Sequence, residues 1–252
     1  MRFDRGMRVA VLADIHGNLP ALEAVLAEPD VGSADRVVLL GDIALGPMPG
    51  DTLDVLAALG ERAVWVHGNC EREVVAAYDG VLPDGPNAPE ARRTAALLDR
   101  RHRDLLDGLP MTVSLDVEGL GPTLFCHATP RRDDEFVLVD SPLPVWRRAF
   151  DGVTEQTVLL GHTHMPFDRL VDGRRVINAG SVGMSYGGPG ACWALLGPTV
   201  ALRRTRYDVA AATARIAASR HPDGAGWAQE YVVSPPGDAE ALEAFTPLVD
   251  PP

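Results

Sequence analysis

The stretch RVAVLADIHGN, residues 8–18, is an apolar run that stops abruptly at an acid and a histidine. Its core, Val9 to Ala13, has the length and β-branched content of a buried strand, and Asp14 and His16 follow at once. The same sentence is repeated four times along the chain. Val37 to Leu40 leads to Asp42, Ala63 to Val66 to Asn69, Leu124 to Cys126 to His127, and Val158 to Leu160 to His162 and His164. In open α/β sheets, ligands bind beyond the carboxyl ends of the strands, so five runs that each end in an Asp, Asn or His point to one shared crevice.

Working outward, Asn18 is placed to cap a helix over Leu19–Glu28, which carries Leu22, Val25 and Leu26 on one face. Strand, ligand loop and helix then recur, with helices expected at about Thr52–Leu59 and from near Glu71. Alternation of this kind indicates parallel strands joined by crossovers. A Pro/Gly-rich loop after Asp79 leads to a helix expected over Pro89–Leu106, on which His102 reads as structural. From Thr112 the pattern changes to short strands: Thr112–Val117, Thr123–Cys126, Thr157–Leu160, Phe167–Val171, Arg175–Asn178, Cys192–Leu195 and Val200–Arg204. Asp172-Gly173 between two of them is a hairpin signal. The β-rich second half implies a second sheet packed face to face on the first, with helices on both outer faces. One globular domain is expected over residues 1–252, with a core at about 8–206 and a C-terminal extension at about 207–252, whose tail from about His221 to Pro252 reads as peripheral and carrying no chemistry. Within that extension one short helix is expected near Asp238–Ala244. The polar leader Met1–Gly6 ends at Met7, a second candidate start.

Composition narrows the function. No apolar run approaches the roughly 20 residues of a membrane span, and no signal peptide is visible, so a cytoplasmic protein is expected. Cys70, Cys126 and Cys192 form no Cys-x-x-Cys pair and read as free thiols in a reducing compartment. A net charge of -12 opposes binding to nucleic acid and to anionic membranes, and suits a small phosphorylated substrate met at a buried cationic centre. All 23 basic residues are Arg, which excludes a Schiff-base or P-loop lysine. Gly180–Gly190 follows no strand-to-helix fingerprint and is not read as a dinucleotide site. The sequence leaves open whether the chain works as a homo-oligomer.

The donors are carboxylate, imidazole and amide, a set suited to Mn, Fe, Zn, Co or Ni. In extended backbone the spacing of two in Asp14/His16 and His162/His164 places both side chains of each pair on one side, with Ile15 and Thr163 facing away. Seven ligands exceed one tetrahedral ion. Two divalent ions sharing Asp42, at the roughly 3.5 to 4 Å typical of two-metal phosphoryl-transfer sites, account for the number. Gly41, Gly68 and Gly161 precede ligands and allow a sharp turn and close approach.

In order, Asp14-Ile15-His16-Gly17-Asn18, Gly41-Asp42, Gly68-Asn69, His127 and Gly161-His162-Thr163-His164 resemble the motifs of the calcineurin-like metallophosphoesterases over roughly Arg8 to Arg206. Asn178-Ala179-Gly180-Ser181 is similar to the family's Asn-x-Gly-Ser element. The resemblance implies a four-layer α/β/β/α sandwich of two mixed sheets and a dinuclear centre. It implies Asp14, His16, Asp42 and His164 around the first ion, and Asp42, Asn69, His127 and His162 around the second. It further implies hydrolysis of phosphate esters by in-line attack of a metal-bridging hydroxide. Leu45 and Cys70 depart from the protein phosphatases and dinucleoside tetraphosphate hydrolases, which carry Asp and His there. Gly-Asn-Cys-Asp/Glu resembles instead a small bacterial and archaeal branch with manganese-dependent phosphodiesterase activity. General acid catalysis contributes about 10² to 10⁴, so the metals are expected to carry most of the acceleration. Cys70, or His67 two residues before Asn69, is the candidate replacement acid, and Arg131 and Arg132 are candidates to clamp a phosphate. A phosphomonoesterase or nucleotide phosphatase is the alternative activity. A non-catalytic scaffold, as in the retromer subunit of similar fold, is the rival from another class. The complete ligand set speaks against it, because buried ionisable groups are costly without ions.

Overall fold

The computed structural model describes residues 6–81 and 85–251. Most of the leader, residues 1–5, and Pro252 lie outside the described residues, as do residues 82–84 of the loop after Asp79. Ten strands are present among the described residues: β1 (Val9–Leu12), β2 (Arg36–Leu40), β3 (Ala63–Val66), β4 (Thr112–Val117), β5 (Gly121–Cys126), β6 (Thr157–Leu160), β7 (Phe167–Val171), β8 (Arg174–Asn178), β9 (Ala191–Leu196) and β10 (Val200–Thr205). They form two five-stranded sheets, ordered β10-β9-β1-β2-β3 and β4-β5-β6-β8-β7. Both are mixed. β1, β2 and β3 run parallel, as do β5, β6 and β8, while β9, β10, β4 and β7 add antiparallel pairings.

Alternation along each strand sorts side chains into layers. In β1 and just beyond it, Val9, Val11 and Ala13 enter a core between the sheets with Phe125, Leu159 and Ile177. Ala10 and Leu12 face the other way, onto helices that contribute Leu22, Val25, Leu53 and Leu56. On the far side, Leu124, Val158 and Val176 pack against Trp146 and Phe150. Each strand is apolar on both faces because each sheet is covered on both, giving the expected α/β/β/α order.

Three expectations are corrected. β9 and β10, grouped by sequence with the second sheet, join the first: β9 pairs antiparallel with β1, Val9 opposite Leu196. The single helix over Pro89–Leu106 is two, Ala88–Ala95 and Arg100–Asp107. Asp99 causes the break, since its side chain accepts from His102 N at 3.2 Å and caps the second helix. The tail beyond His221 is not merely peripheral. Trp227, Ala228 and Val232 bury themselves with Ala212 and Ile216, and Met184 and Tyr207 pack against them. The helices Leu143–Ala149, Val209–Ala217 and Gly224–Ala228 were not read from the sequence, whereas the cap at Asn18 and the Asp172-Gly173 turn hold. Asn18 accepts from Ala21 N and caps Leu19–Leu26, and Asp172 (φ 48°) with Gly173 (φ 80°) makes the β7–β8 turn. No helix of the described residues is long and apolar enough to cross a membrane.

Candidate metal centre

All seven sequence-predicted donors follow the C-terminal ends of β1, β2, β3, β5 and β6; the fold brings Asp14, His16, Asp42, His127, His162 and His164 together, and Asn69 opens the Asn69–Tyr78 helix beside Cys70. Three groups of donor atoms lie within 4.8 Å of one another: Asp14, His16 and His164; Asp42, His127 and His162; and His16, Asp42 and Cys70. Asp42 sits between the first two groups, with Oδ2 3.9 Å from His16 Nε2 and Oδ1 3.3 Å from His127 Nε2. Asp14 reaches His164 Nε2 at 3.4 Å and His127 Nε2 at 3.9 Å.

The backbone that aims them differs from the expected extended form. Asp14, His16, Asp42, His162 and His164 have φ of 53°, 50°, 52°, 65° and 57°, in the left-handed region. Ile15 and Thr163 still face away and are buried. The β1 and β2 loops stay zipped past their strands, Asp14 N donating to Gly41 O (3.0 Å), His16 N to Asp42 O (3.0 Å) and Gly17 N to Ile43 O (2.9 Å). His162 N donates to the Asp14 carboxylate at 3.0 Å. From the Asn178–Ser181 element, Ser181 Oγ donates to Asp14 O (2.7 Å), and Asn178 Nδ2 to Gly161 O (2.6 Å) and Thr163 Oγ1 (3.1 Å). Gly41 combines φ 81° with close approach, for a Cβ there would lie 2.5 Å from His127 Nδ1. At Gly68, which is extended, space alone decides: a Cβ would lie 2.4 Å from Asp42 Oδ1.

One residue here was not singled out from the sequence. Glu71, fully buried, accepts from Asp42 N (2.8 Å), Ile43 N (2.8 Å) and Gly68 N (2.9 Å), and so ties the β2 and β3 loops together. Its place one residue after Cys70 was visible, but its partners in the β2 loop lie 27 to 29 residues away.

The imidazoles are set for ligation through Nε2. The Nδ1 atoms of His16, His127 and His164 lie 3.1, 2.8 and 3.1 Å from the carbonyls of Leu45, Leu40 and Met184, which fixes Nδ1 as donor. Asn69 Nδ2 donates to Glu73 Oε1 at 3.4 Å, leaving Asn69 Oδ1 free. Asn69 Oδ1, His127 Nε2 and His162 Nε2 are buried with no hydrogen-bond partner. His16 Nε2 and His164 Nε2 face each other at 3.2 Å, an arrangement of two lone pairs that calls for a cation or a proton between them. The residues therefore fit divalent cations. Without them, burial opposes the charge on Asp42 and His127, but each holds the other ionised: Asp42 is well below the usual carboxylate range and His127 is pushed up to about 10. Burial, together with the charge on His127, pushes His162 down to about 4.

The remaining candidates divide. Cys70 is in the cluster, its Sγ 3.0 Å from Asp42 Oδ2, and burial followed by the charge of Asp42 keeps it a thiol far above its ordinary range. His67 is not: its Nε2 pairs with Asp133 Oδ2 at 2.9 Å. The structure does not bring Arg131 and Arg132 to the donors either. Arg131 is paired with the buried Glu135 at 2.8 Å, and Arg132 with Asp134 (2.9 Å) and Asp250 (3.0 Å), because three acids follow them immediately. His102 bonds Asp54 at 3.1 Å and lines a cleft of about 730 Å³ that includes none of the seven donors.

A two-sheet α/β/β/α sandwich with Asp, His and Asn donors at five strand ends defines a metal-dependent hydrolase architecture. The sequence profile of the calcineurin-like phosphoesterase superfamily domain matches residues 7–198. The chain belongs to that superfamily, and with it to the hydrolases acting on phosphoric ester bonds. It is 24% identical over 244 residues to the uncharacterized protein MJ0912 of Methanocaldococcus jannaschii, covering 86% of this chain and 95% of that one. It is 32% identical over 133 residues to the symmetrical bis(5'-nucleosyl)-tetraphosphatase of Yersinia enterocolitica, a match spanning 51% of this chain but only 44% of the relative. In fold it is similar to a metallophosphoesterase from Sphaerobacter thermophilus (TM-score 0.71, 24% identity, 94% and 100% of the two chains). It is likewise similar to hypothetical protein PH1004 from Pyrococcus horikoshii OT3 (TM-score 0.74, 22% identity, 86% and 95%).

Proposed function

We propose that this chain hydrolyses phosphodiesters with two divalent cations, Mn²⁺ foremost, held by Asp14, His16, Asp42 and His164 on one side and Asp42, Asn69, His127 and His162 on the other. The observation that carries this reading is the gathering of Asp14, His16, Asp42, His127, His162 and His164 into groups linked by His16 and Asp42, with Asn69 Oδ1, His127 Nε2 and His162 Nε2 buried and free of hydrogen bonds. When bound, such ions supply a nucleophile at neutral pH and neutralise phosphoryl charge. The chain's own residues fix geometry: Asp42 spans both groups, Nδ1–carbonyl bonds orient His16, His127 and His164, and Glu71 pins the loops of Asp42 and Asn69.

A diester is favoured over a monoester by the arginines. Arg72, Arg131 and Arg132 are all committed to carboxylates, so none offers a free guanidinium to the second negative charge of a monoester dianion. Cys70, a thiol beside Asp42, is better placed than His67 to give a proton to a leaving alkoxide. The Gly-Asn-Cys-Glu sequence supports the manganese-dependent phosphodiesterase branch, and three buried free cysteines suit the cytoplasm. The substrate is small and phosphorylated; nucleic acid and membrane are disfavoured by the charge of -12.

The test is metal stoichiometry together with hydrolysis of bis(4-nitrophenyl) phosphate and 4-nitrophenyl phosphate, with Mn²⁺ and after chelation. Two ions per chain, with a chelator-sensitive diesterase rate exceeding the monoesterase rate, are expected. Metal-independent turnover, or a fully loaded protein that cleaves neither ester, overturns the reading.

A further inference from the structure

Five aromatic rings form a continuous chain across the ligand cluster. His162 packs on Phe136 (ring centroids 4.4 Å apart), Phe136 on Phe245 (5.1 Å), Phe245 near Tyr186 (6.3 Å), and Tyr186 stacks on His164 (5.6 Å, rings 26° apart). The two ends are donors of different groups, His164 grouped with Asp14 and His162 with Asp42. The keystone, Phe245, closes the Asp238–Phe245 helix in the C-terminal extension. Phe136, Tyr186 and Phe245 are each only half-buried. Phe245 belongs to none of the buried hydrophobic clusters; it packs on Phe136 and Tyr186, and its neighbours Ala244 and Thr246 are exposed.

We propose that Phe136, Tyr186 and Phe245 determine specificity by stacking a planar aromatic group of the ester, an aryl ring or a nucleobase, while its phosphate meets the donors beneath. This rests on the phosphoesterase reading. Two physical arguments support it. A chain of net charge -12 repels an anionic substrate at long range, and Arg72, Arg131 and Arg132 are already paired, so contact with the organic part is the remaining source of affinity beyond the metals. Half-buried rings next to the donor histidines provide that contact without reading any particular base.

The extension is anchored independently of Phe245, through Arg132 Nη1 to Asp250 Oδ2 (3.0 Å) and Arg148 Nη2 to Asp250 O (3.1 Å). Phe245→Ala therefore opens the arch without releasing the tail, and Phe245→Leu, which keeps apolar bulk but loses the ring, guards against a folding artefact. The experiment is calorimetric titration of Mn²⁺-loaded protein with phenylphosphonate and methylphosphonate. It is paired with KM for bis(4-nitrophenyl) phosphate and methyl 4-nitrophenyl phosphate, which share a leaving group. The parent should prefer the phenyl probe. Both variants should weaken it about tenfold, within the range for loss of one stacking ring, and leave the methyl probe within about twofold. KM for the bis-aryl ester should rise by the same factor, with kcat little changed. Equal weakening of both probes, no weakening, or a parent that does not prefer phenylphosphonate overturns the arch. Failure of both esters to turn over would sink the phosphoesterase reading instead, and the phosphonate pair would still decide the stacking.

Discussion

Replacing Glu71 by Gln tests whether one buried carboxylate holds the metal-binding loops in register. Glu71 Oε2 accepts from Asp42 N and Gly68 N, and Oε1 from Ile43 N with a longer contact from Ala44 N at 3.4 Å. A glutamine has one acceptor oxygen. In its better orientation it keeps the Asp42 and Gly68 bonds and turns an NH₂ toward the N–H of Ile43. Backbone donors to a charged acceptor are worth about 1.5–3 kcal/mol each, and a buried N–H left facing another donor adds its own desolvation cost. Part of this is recovered. Burial and the charge of Asp42 push the Glu71 carboxyl above its usual range, so a neutral replacement relieves some repulsion. A net loss of about 3 kcal/mol follows, or about 6–12 °C in Tm for a chain of this size. Because Asp42 would lose a restraint on its φ of 52°, Mn²⁺ affinity should fall about 10- to 100-fold, as when a ligand loses its supporting hydrogen bonds. Thermal unfolding followed by circular dichroism and a Mn²⁺ titration measure the two effects. If Tm moves by less than about 2 °C and affinity by less than about threefold, Glu71 is not the brace described here.

Two further outcomes are expected. Cys70→Ala should slow hydrolysis of a diester with a poor alkyl leaving group by about 10²-fold while barely affecting an aryl diester, whereas His67→Ala should leave that ratio unchanged; the reverse pattern in steady-state kinetics would move the general acid to His67. Asp133 gives a pH signature: burial pushes its carboxyl up, but hydrogen bonds from His67 and Arg72 outweigh this and hold it well below the usual range. With the folded pKa depressed, the unfolded chain takes up the proton first, so this stabilisation is present above about pH 4 and is lost as pH falls through the folded value. The stability gap between the parent and Asp133→Asn, from denaturant unfolding, should be constant above about pH 5 and shrink below about pH 4; a gap that persists unchanged to about pH 2 would refute the assignment.

Much of this was legible because the sheets are covered on both faces. Val9 to Ala13 must then be apolar throughout, and the first polar residue, Asp14, marks the strand end without ambiguity. Five such endings located the donors. What sequence could not show depends on distance along the chain. β9 pairs with β1 across 182 or more intervening residues, and nothing in Ala191–Leu196 states which sheet it will join. Phe245 reads as the end of a short helix until Phe136 and Tyr186 are placed beside it. The break at Asp99 was in principle readable, since Asp is a favoured N-cap, but the apolar stripe of Ala95, Leu98 and Leu105 carried the pattern through it. The pairing of Arg131 and Arg132 was equally local, with Asp133, Asp134 and Glu135 next in line.

The left-handed residues tie fold to chemistry. Of the six non-glycine residues with positive φ among those described, five are Asp14, His16, Asp42, His162 and His164, and the sixth, Asp172, is a hairpin turn. A non-glycine residue held there costs about 1–3 kcal/mol, tolerable only where surrounding bonds over-determine it. They do so here, through the zipped β1 and β2 loops, Glu71 on Asp42, and Asn178 and Ser181 on the loops of Asp14 and His162. The strain is met during folding, by hydrogen bonds that do not involve a cation. It follows that the donors are already aimed before any ion arrives, and that binding is spared the cost of ordering five loops. The same arrangement turns His16 Nε2 toward His164 Nε2 at 3.2 Å, so the fold alone leaves two facing lone pairs that a cation relieves. Preorganisation of the donors and mutual repulsion among them are one design, and both push toward occupancy of the site.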